Sequence, residues 1–336
     1  MGGDRVAGDP YWPVPPERER AFVLPEPANH RRRRAAAARL ARTAVPVALL
    51  LAGCAEAESG GLAPIEVEDA AGRTVRLDAP AARVVSVIPS ATEWILAIGA
   101  GDRLVARTDF DRQPALDTLP SVGGGLTPSI EWLAARRPDL IVSWPDAPSR
   151  SVVSRLESLG IPVYTAAAET RRDAFRTAAA LGRLLGLGED ADAAIAEVHR
   201  GLDSVRTSVA EYPPVDVLYL VGLEPLTAAG PGTFVAELIG TAGGRNVLDG
   251  LDVRWPQLAL EDVVARAPEV VIVAAPDAHE PLEGLAERPG WRDVPAVVNG
   301  RVHAVDPDSV NRWGPGMDEG AALLARLIHP PETRQP

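Results

Sequence analysis

The residues able to do chemistry in this chain are few. Cys54 is the one cysteine in 336 residues, so no intrachain disulfide can form. It ends the stretch Leu51-Ala52-Gly53-Cys54, behind an apolar run, Ala44–Leu51, and the basic residues Arg31–Arg34, Arg39 and Arg42. A basic region, an apolar region and small residues before a cut site make a secretory signal peptide. The apolar run is too short to span a bilayer, which takes about 20 residues. Small residues directly before a cysteine resemble a bacterial lipobox, with an ordinary secretory signal as the alternative. The expectation is that the bond before Cys54 is cut and that the lipidated cysteine anchors the mature chain to a membrane, on its extracytoplasmic face. Ala55–Gly61 is small, polar and acidic and reads as a flexible tether. Residues 1–29, rich in Pro and charge, read as a cytoplasmic leader or as an upstream start.

Catalytic patterns are missing. The histidines, His30, His199, His279, His303 and His329, are scattered with no paired spacing, so no metal site is expected. There is no HExxH, no nucleophile elbow and no phosphate-cradling glycine motif after a strand, and Gly123–Gly125 lacks the Lys-Thr or Lys-Ser of a P-loop. Asp109 and Asp111 read as a solvated loop, because acid–base work needs burial. No catalytic residue, metal or cofactor is therefore expected, and the chain is read as not an enzyme. A two-lobed enzyme using a cleft is the alternative from another class. Charge excludes nucleic acid: the net value is −12, and residues after 53 hold 25 Arg against 41 acidic side chains. An acidic body does not wrap polyphosphate.

Seven tryptophans remain as candidates for molecular recognition. Trp94 and Trp132 fall in helical patterns and read as packing residues. Trp144 and Trp255 each precede a Pro at a strand end or in a loop, where core packing is not their obvious use.

The elements that must position these residues alternate. Val84–Ile88 reads as a buried strand, Thr92–Ile98 as a helix, Leu104–Arg107 as a strand, Ser129–Arg136 as a helix, Leu140–Ser143 as a strand, Ser151–Leu159 as a helix and Val163–Thr165 as a strand. Residues 170–211 read as a short helix, a turn near Gly186–Gly188, and a long helix ending at Pro213-Pro214. The alternation then resumes with strand Val217–Val221, helices Phe234–Ile239 and Leu260–Arg266, strands Val270–Ala274 and Val302–Val305, and helix Gly320–Ile328. The fold class is α/β with parallel sheets.

The halves also echo each other. Residues 129–140, SIEWLAARRPDL, line up with residues 259–270, ALEDVVARAPEV, each a helix, a Pro stop and a buried strand. The expected organisation is a leader and signal peptide over 1–53, lipidated Cys54 and tether over 54–63, an N-terminal lobe over 64–168, a linking helical segment over 169–212, and a C-terminal lobe over 213–329. Two Rossmann-like lobes joined by a long helix leave one ligand cleft between them, at the carboxyl ends of the strands.

On Arg83–Glu93 (RVVSVIPSATE), Pro138–Trp144 (PDLIVSW) and Trp255-Pro256-Gln257, the chain resembles the cobalamin, haem and siderophore class of solute-binding proteins, and within it the vitamin B12 binders. The resemblance covers about residues 64–329. It implies an extracytoplasmic binding lipoprotein, a monomer, that delivers a corrinoid to the membrane subunits of an ABC importer, with haem or a ferric siderophore as the alternative ligand. Cobalamin is then cargo and not a cofactor. By position, Phe110 stands where the B12 binders have a tyrosine against the corrin ring. Trp144 and Trp255 match their cleft tryptophans, and Arg312 matches a cleft arginine. Ser90 and Trp313 complete the expected ligand-binding set. Flat aromatics suit a broad apolar disc fringed with amides. Glu131 and Glu261, equivalent in the two repeats, match glutamates that dock on the importer. The sequence departs from the pattern at Gly125, where another cleft tryptophan is expected, and at Phe110.

Overall fold

The computed structural model describes residues 63–330, apart from residues 127, 146–148, 275–281, 283–286 and 288. The leader, the signal peptide, Cys54 and His279 lie outside the described residues.

Two sheets organise the chain. The first runs β4 (Leu104–Ala106), β3 (Val84–Ser86), β5 (Leu140–Ser143), β6 (Val163–Thr165), all parallel. The second runs β9 (Gly244–Asn246), β7 (Val215–Leu223), β10 (Val270–Ala274), β11 (Val302–Val305), again all parallel, with β8 (Leu226–Ala228) added antiparallel to the far half of β7. Both sheets therefore have the strand order second, first, third, fourth. The central strands are buried along their length, β5 and β10 completely. Continuous apolar runs rather than alternating ones follow from helices covering both faces. The strand order reverses beside β3 and β7, and such switch points open a crevice at the carboxyl ends of the strands.

The echo read in the sequence is present in detail. Helix α2 (Ile130–Ala135) precedes β5, and helix α7 (Leu260–Arg266) precedes β10. Each chain leaves its helix through a left-handed residue, Arg137 at φ 47° and Ala267 at φ 48°, directly before Pro138 and Pro268. A residue before proline is disfavoured in the helical region, so the exit conformation is shared for a shared reason. The next residue bonds the neighbouring strand in the same way twice. Asp139 N–H donates to the Arg83 carbonyl (3.0 Å) and its carboxylate accepts from Arg83 N–H (2.9 Å). Glu269 N–H donates to the Asp216 carbonyl (2.8 Å) and its carboxylate accepts from Asp216 N–H (3.0 Å).

The remaining helices are α1 (Pro89–Ala97), α3 (Ser149–Ser158), α4 (Arg171–Leu184), α5 (Gly188–Ser208), α6 (Phe234–Thr241), α8 (Pro295–Val298), α9 (Pro307–Val310) and α10 (Met317–Ile328). The linking segment is a helical pair, α4 and α5, rather than one rod. Thr170 caps α4, its hydroxyl accepting from Asp173 N–H while Asp173 accepts from Thr170 N–H. Gly186, at φ 66°, turns the chain between the two helices. Helix α5 stops at Ser208, short of Pro213. Ala174, Ala178, Leu181 and Leu184 give α4 a buried stripe, and Val198, Leu202 and Val205 do the same for α5.

The short helices α8 and α9 and four strands are absent from the sequence reading. An N-terminal hairpin of β1 (Ile65–Glu68) and β2 (Thr74–Leu77) docks on β6 through Asp69. Its carboxylate accepts from Thr165 Oγ1 (2.6 Å) and from Arg73 Nε (3.0 Å). Strands β8 and β9 are three residues each, too short for a periodic signal.

Candidate functional site

The crevice side of the first sheet is built from the segments that leave β3, β4 and β5. Helix α1 follows β3 and brings Ser90 and Glu93. The segment after β4 brings Phe110 and Asp111, and Trp144 follows β5 directly. A glycine run shapes this surface. Asp109 N–H donates to the Gly123 carbonyl (3.0 Å), and Val122 N–H donates to the Arg107 carbonyl (2.8 Å). Gly125 has φ 83°, and a Cβ there would lie 2.5 Å from the Val87 carbonyl oxygen. Only glycine fits so close to the tip of β3, which accounts for the missing tryptophan at this position. Gly124 lies against the Phe110 ring, where a Cβ would be 3.6 Å from Cε2.

In the second half, Trp255 sits in a strand-like segment bonded to β8. Ala228 N–H donates to the Pro256 carbonyl (3.0 Å), and Gly230 N–H donates to the Arg254 carbonyl (2.7 Å). Trp255 is 38% exposed. Phe110 and Trp144 are half-buried. These three rings keep open surface, unlike Trp94, Trp291 and Trp313, which are buried.

Four expectations change on contact with the structure. Trp313 is only 4% exposed, and its carbonyl accepts from Trp94 Nε1 (3.0 Å). It is a core residue, packed in the buried apolar cluster. Ser90 is likewise buried in the first turn of α1. Arg312 is present at the crevice but already partnered. Its Nη1 binds Glu93 Oε1 (2.7 Å), and its Nη2 binds the Phe110 carbonyl (2.9 Å) and Asp308 Oδ2 (2.9 Å). Asp111 is no solvated residue. It is buried, and its Oδ2 accepts from Thr108 N–H (2.6 Å) and Oγ1 (2.9 Å). It braces the turn that carries Phe110. Burial pushes the carboxyls of both Glu93 and Asp111 upward, against the pull of Arg312 on Glu93 and of the Thr108 amide on Asp111.

A cavity of about 460 Å³ opens beside Arg312, walled by Glu93, Asp308, Ser309, Glu319 and Arg326 among others, but by none of the three open aromatics. Its charged lining does not suit an apolar disc. Trp132 lies under the Arg136 guanidinium, 4.0 Å from the ring centre. His199 packs on Phe175 and His329 on Tyr212. Among the described residues no cluster of three metal-ligating side chains exists. Glu131 and Glu261 are exposed, each the second residue of its helix. The Glu131 amide and the Ser129 hydroxyl hold the Glu131 carboxyl below its ordinary range.

Sequence reasoning did not single out Glu93, Arg171 or Glu237, whose ion pairs join segments far apart in the chain. The signal available was the repeat: each glutamate lies midway along the helix that follows β3 in one half and β7 and β8 in the other.

Two Rossmann-like halves of matching strand order define a two-lobed binding protein. The chain belongs to the periplasmic binding protein family, whose profile matches residues 84–309. It is 29% identical over 237 residues to a vitamin B12-binding protein of Vibrio cholerae, covering 70% of this chain and 85% of that one. The solved periplasmic vitamin B12-binding protein of Vibrio cholerae superposes at a TM-score of 0.62, with 27% identity, over 74% of this chain and 97% of the other. An ABC transporter substrate-binding lipoprotein of Bacillus subtilis is 25% identical over 299 residues, 84% of this chain and 94% of that protein. A periplasmic haem-binding protein from Roseiflexus superposes at 0.65, with 25% identity, over 74% and 97% of the two chains. The protein is thus a substrate-binding component for ABC import, of the B12, haem and siderophore class, acting outside the cytoplasm.

Proposed function

We propose that the protein is a lipid-anchored, monomeric receptor that captures a corrinoid of the vitamin B12 type and delivers it to an ABC importer. The observation that carries this reading is the set of open rings, Phe110, Trp144 and Trp255, at the strand tips of one half and beside β8 of the other. A corrin is a broad disc with an apolar face, and rings of this kind cover it with little loss of rotamer freedom. The vitamin B12-binding relative supports the same ligand.

Haem is the second reading, supported by the haem-binding structural neighbour. Haem iron needs a protein axial ligand such as His, Tyr, Cys or Met. Tyr164, Tyr219 and Met317 are buried, Tyr212 and His329 stack on each other, His199 packs on Phe175, and His303 lies within β11, away from the three rings in sequence and element. Cobalamin carries its own lower axial base, and cobinamide takes water or cyanide at cobalt, so neither needs a ligand from the protein, which favours a corrinoid. Calorimetry with cyanocobalamin, cobinamide, haemin and a ferric hydroxamate decides between them. Saturable heat with the two corrinoids alone is expected. Tight binding of haemin with no heat from either corrinoid would move the protein to the second reading. Turnover of a bound compound would make it an enzyme instead.

A further inference from the structure

The duplicated fold carries a duplicated ion pair. In the first half, α1 follows β3 and presents Glu93. In the second, α6 follows β7 and β8 and presents Glu237. The two glutamates occupy matching places, each six residues before a left-handed glycine, Gly99 at φ 85° and Gly243 at φ 79°. Each is met by an arginine that follows the last strand of the opposite sheet. Arg171 comes six residues after β6, and its Nε donates to Glu237 Oε2 (2.9 Å). Arg312 comes seven residues after β11, and its Nη1 donates to Glu93 Oε1 (2.7 Å).

Both bridges are reinforced. The Arg171 backbone N–H also donates to Glu237 Oε2 (3.0 Å), and Arg171 Nη1 reaches Thr241 Oγ1 (3.4 Å). Gln113 Nε2 donates to Glu93 Oε1 (3.3 Å). The Glu93 carboxylate lies against Gly314, in the space a Cβ there would take. The Arg312–Glu93 pair is the more buried, with side chains 14% and 19% exposed. Charges withdrawn from water this far are costly to separate, because each would be left without a partner.

We infer that Arg312–Glu93 and Arg171–Glu237 are reciprocal clasps that set the resting width of the ligand cleft. One bridge alone is a pivot, about which the two lobes could still swing. Two bridges at symmetry-equivalent places remove that freedom, since opening about either requires breaking the other. Glu93 and Glu237 are positioning residues in this arrangement, acting through the arginines on the separation of the aromatic walls. The cleft is thereby held preformed before any ligand arrives, which lowers the ordering cost of binding. The inference rests on the two-lobed fold and not on the identity of the ligand.

The test is a distance measurement without ligand. In the mature protein carrying Cys54→Ser, spin labels are placed on Glu131→Cys and Glu261→Cys, one exposed site in each lobe. Pulsed electron resonance then compares intact clasps with Glu93→Gln, Glu237→Gln and the two together, each checked for folding by circular dichroism. Either single variant should broaden the distribution without moving its centre, because the remaining bridge acts as a pivot. The double variant should shift it by several ångströms to longer distance and broaden it. If the double glutamine protein does not fold, Glu93→Asp with Glu237→Asp shortens both arms while keeping their charge and should give the same shift. An unchanged distribution in the folded double variant overturns the inference. So does a full shift in one single variant, which would make that bridge the sole clasp.

Discussion

Truncating Trp255 separates a ligand-facing aromatic from a structural one. The side chain is 38% exposed. A large aromatic residue offers up to about 250 Å², so roughly 95 Å² is free for a ligand to cover. At about 25 cal/mol per Å², full coverage contributes about 2.4 kcal/mol, an upper bound because a bound disc leaves some edge wet. Trp255→Ala should therefore weaken cyanocobalamin binding by on the order of 10-fold, and by at most about 50-fold. The protein's melting temperature should change little, since the segment is held by backbone bonds to Ala228 and Gly230 that survive truncation. Titration calorimetry gives the affinity and differential scanning calorimetry the stability, on the same preparation. Trp313→Ala is the matched control. That residue is buried in the core, so its loss should cost about 3–5 kcal/mol of stability. Its effect on affinity should be small at temperatures where the variant stays folded. A Trp255→Ala protein that binds within a factor of about two of wild type, a difference under 0.5 kcal/mol, would refute the placement of this ring against the ligand.

Other outcomes follow from the same structure. Glu131→Ala with Glu261→Ala should leave ligand binding intact and abolish uptake through the importer, since both carboxylates are exposed at helix starts; transport assays in whole cells check this, and wild-type uptake would leave them as helix-start residues favoured by the helix dipole. Cys54→Ser should move the protein from the membrane to the soluble fraction on cell fractionation, and retention at the wild-type level would remove the lipid anchor from the proposal. Asp69 should contribute to stability in a pH-dependent way. Burial alone would raise its carboxyl, but the bonds from Arg73 and Thr165 outweigh burial and hold it below its ordinary 3.8. A depressed carboxyl stabilises the fold above the unfolded value and loses that contribution as pH falls through the folded one. Asp69→Asn should therefore lower the melting temperature at neutral pH and flatten its decline below about pH 4, the unfolded carboxylate range.

Much of the architecture was legible because it is written in local periodicity. The runs at 140–143, 163–165, 260–266, 270–274 and 302–305 coincide with β5, β6, α7, β10 and β11 to the residue, since a buried strand or a capped helix declares itself in its own few residues. The echo between residues 129–140 and 259–270 reached further. Pro138 and Pro268 impose one exit conformation on two helices, so local chemistry alone implied a duplicated lobe. The hairpin at 65–77 was illegible because what holds it, Asp69 on Thr165, joins residues 96 positions apart.

The sequence by itself determined the class of protein: alternating strands and helices, a repeat, a signal-like start, open aromatics near strand ends and no catalytic motif. Only the tertiary structure decided what each candidate side chain does. Arg312 and Trp313 are neighbours in the chain, yet one bridges to Glu93 and the other fills the core. Asp109 is exposed while Asp111 is buried under the turn it braces. Burial and ion pairing depend on partners that arrive from distant segments, about 220 residues away for Glu93 and Arg312. No window of sequence contains both ends of such a contact, and the physical role of the residue resides in the contact.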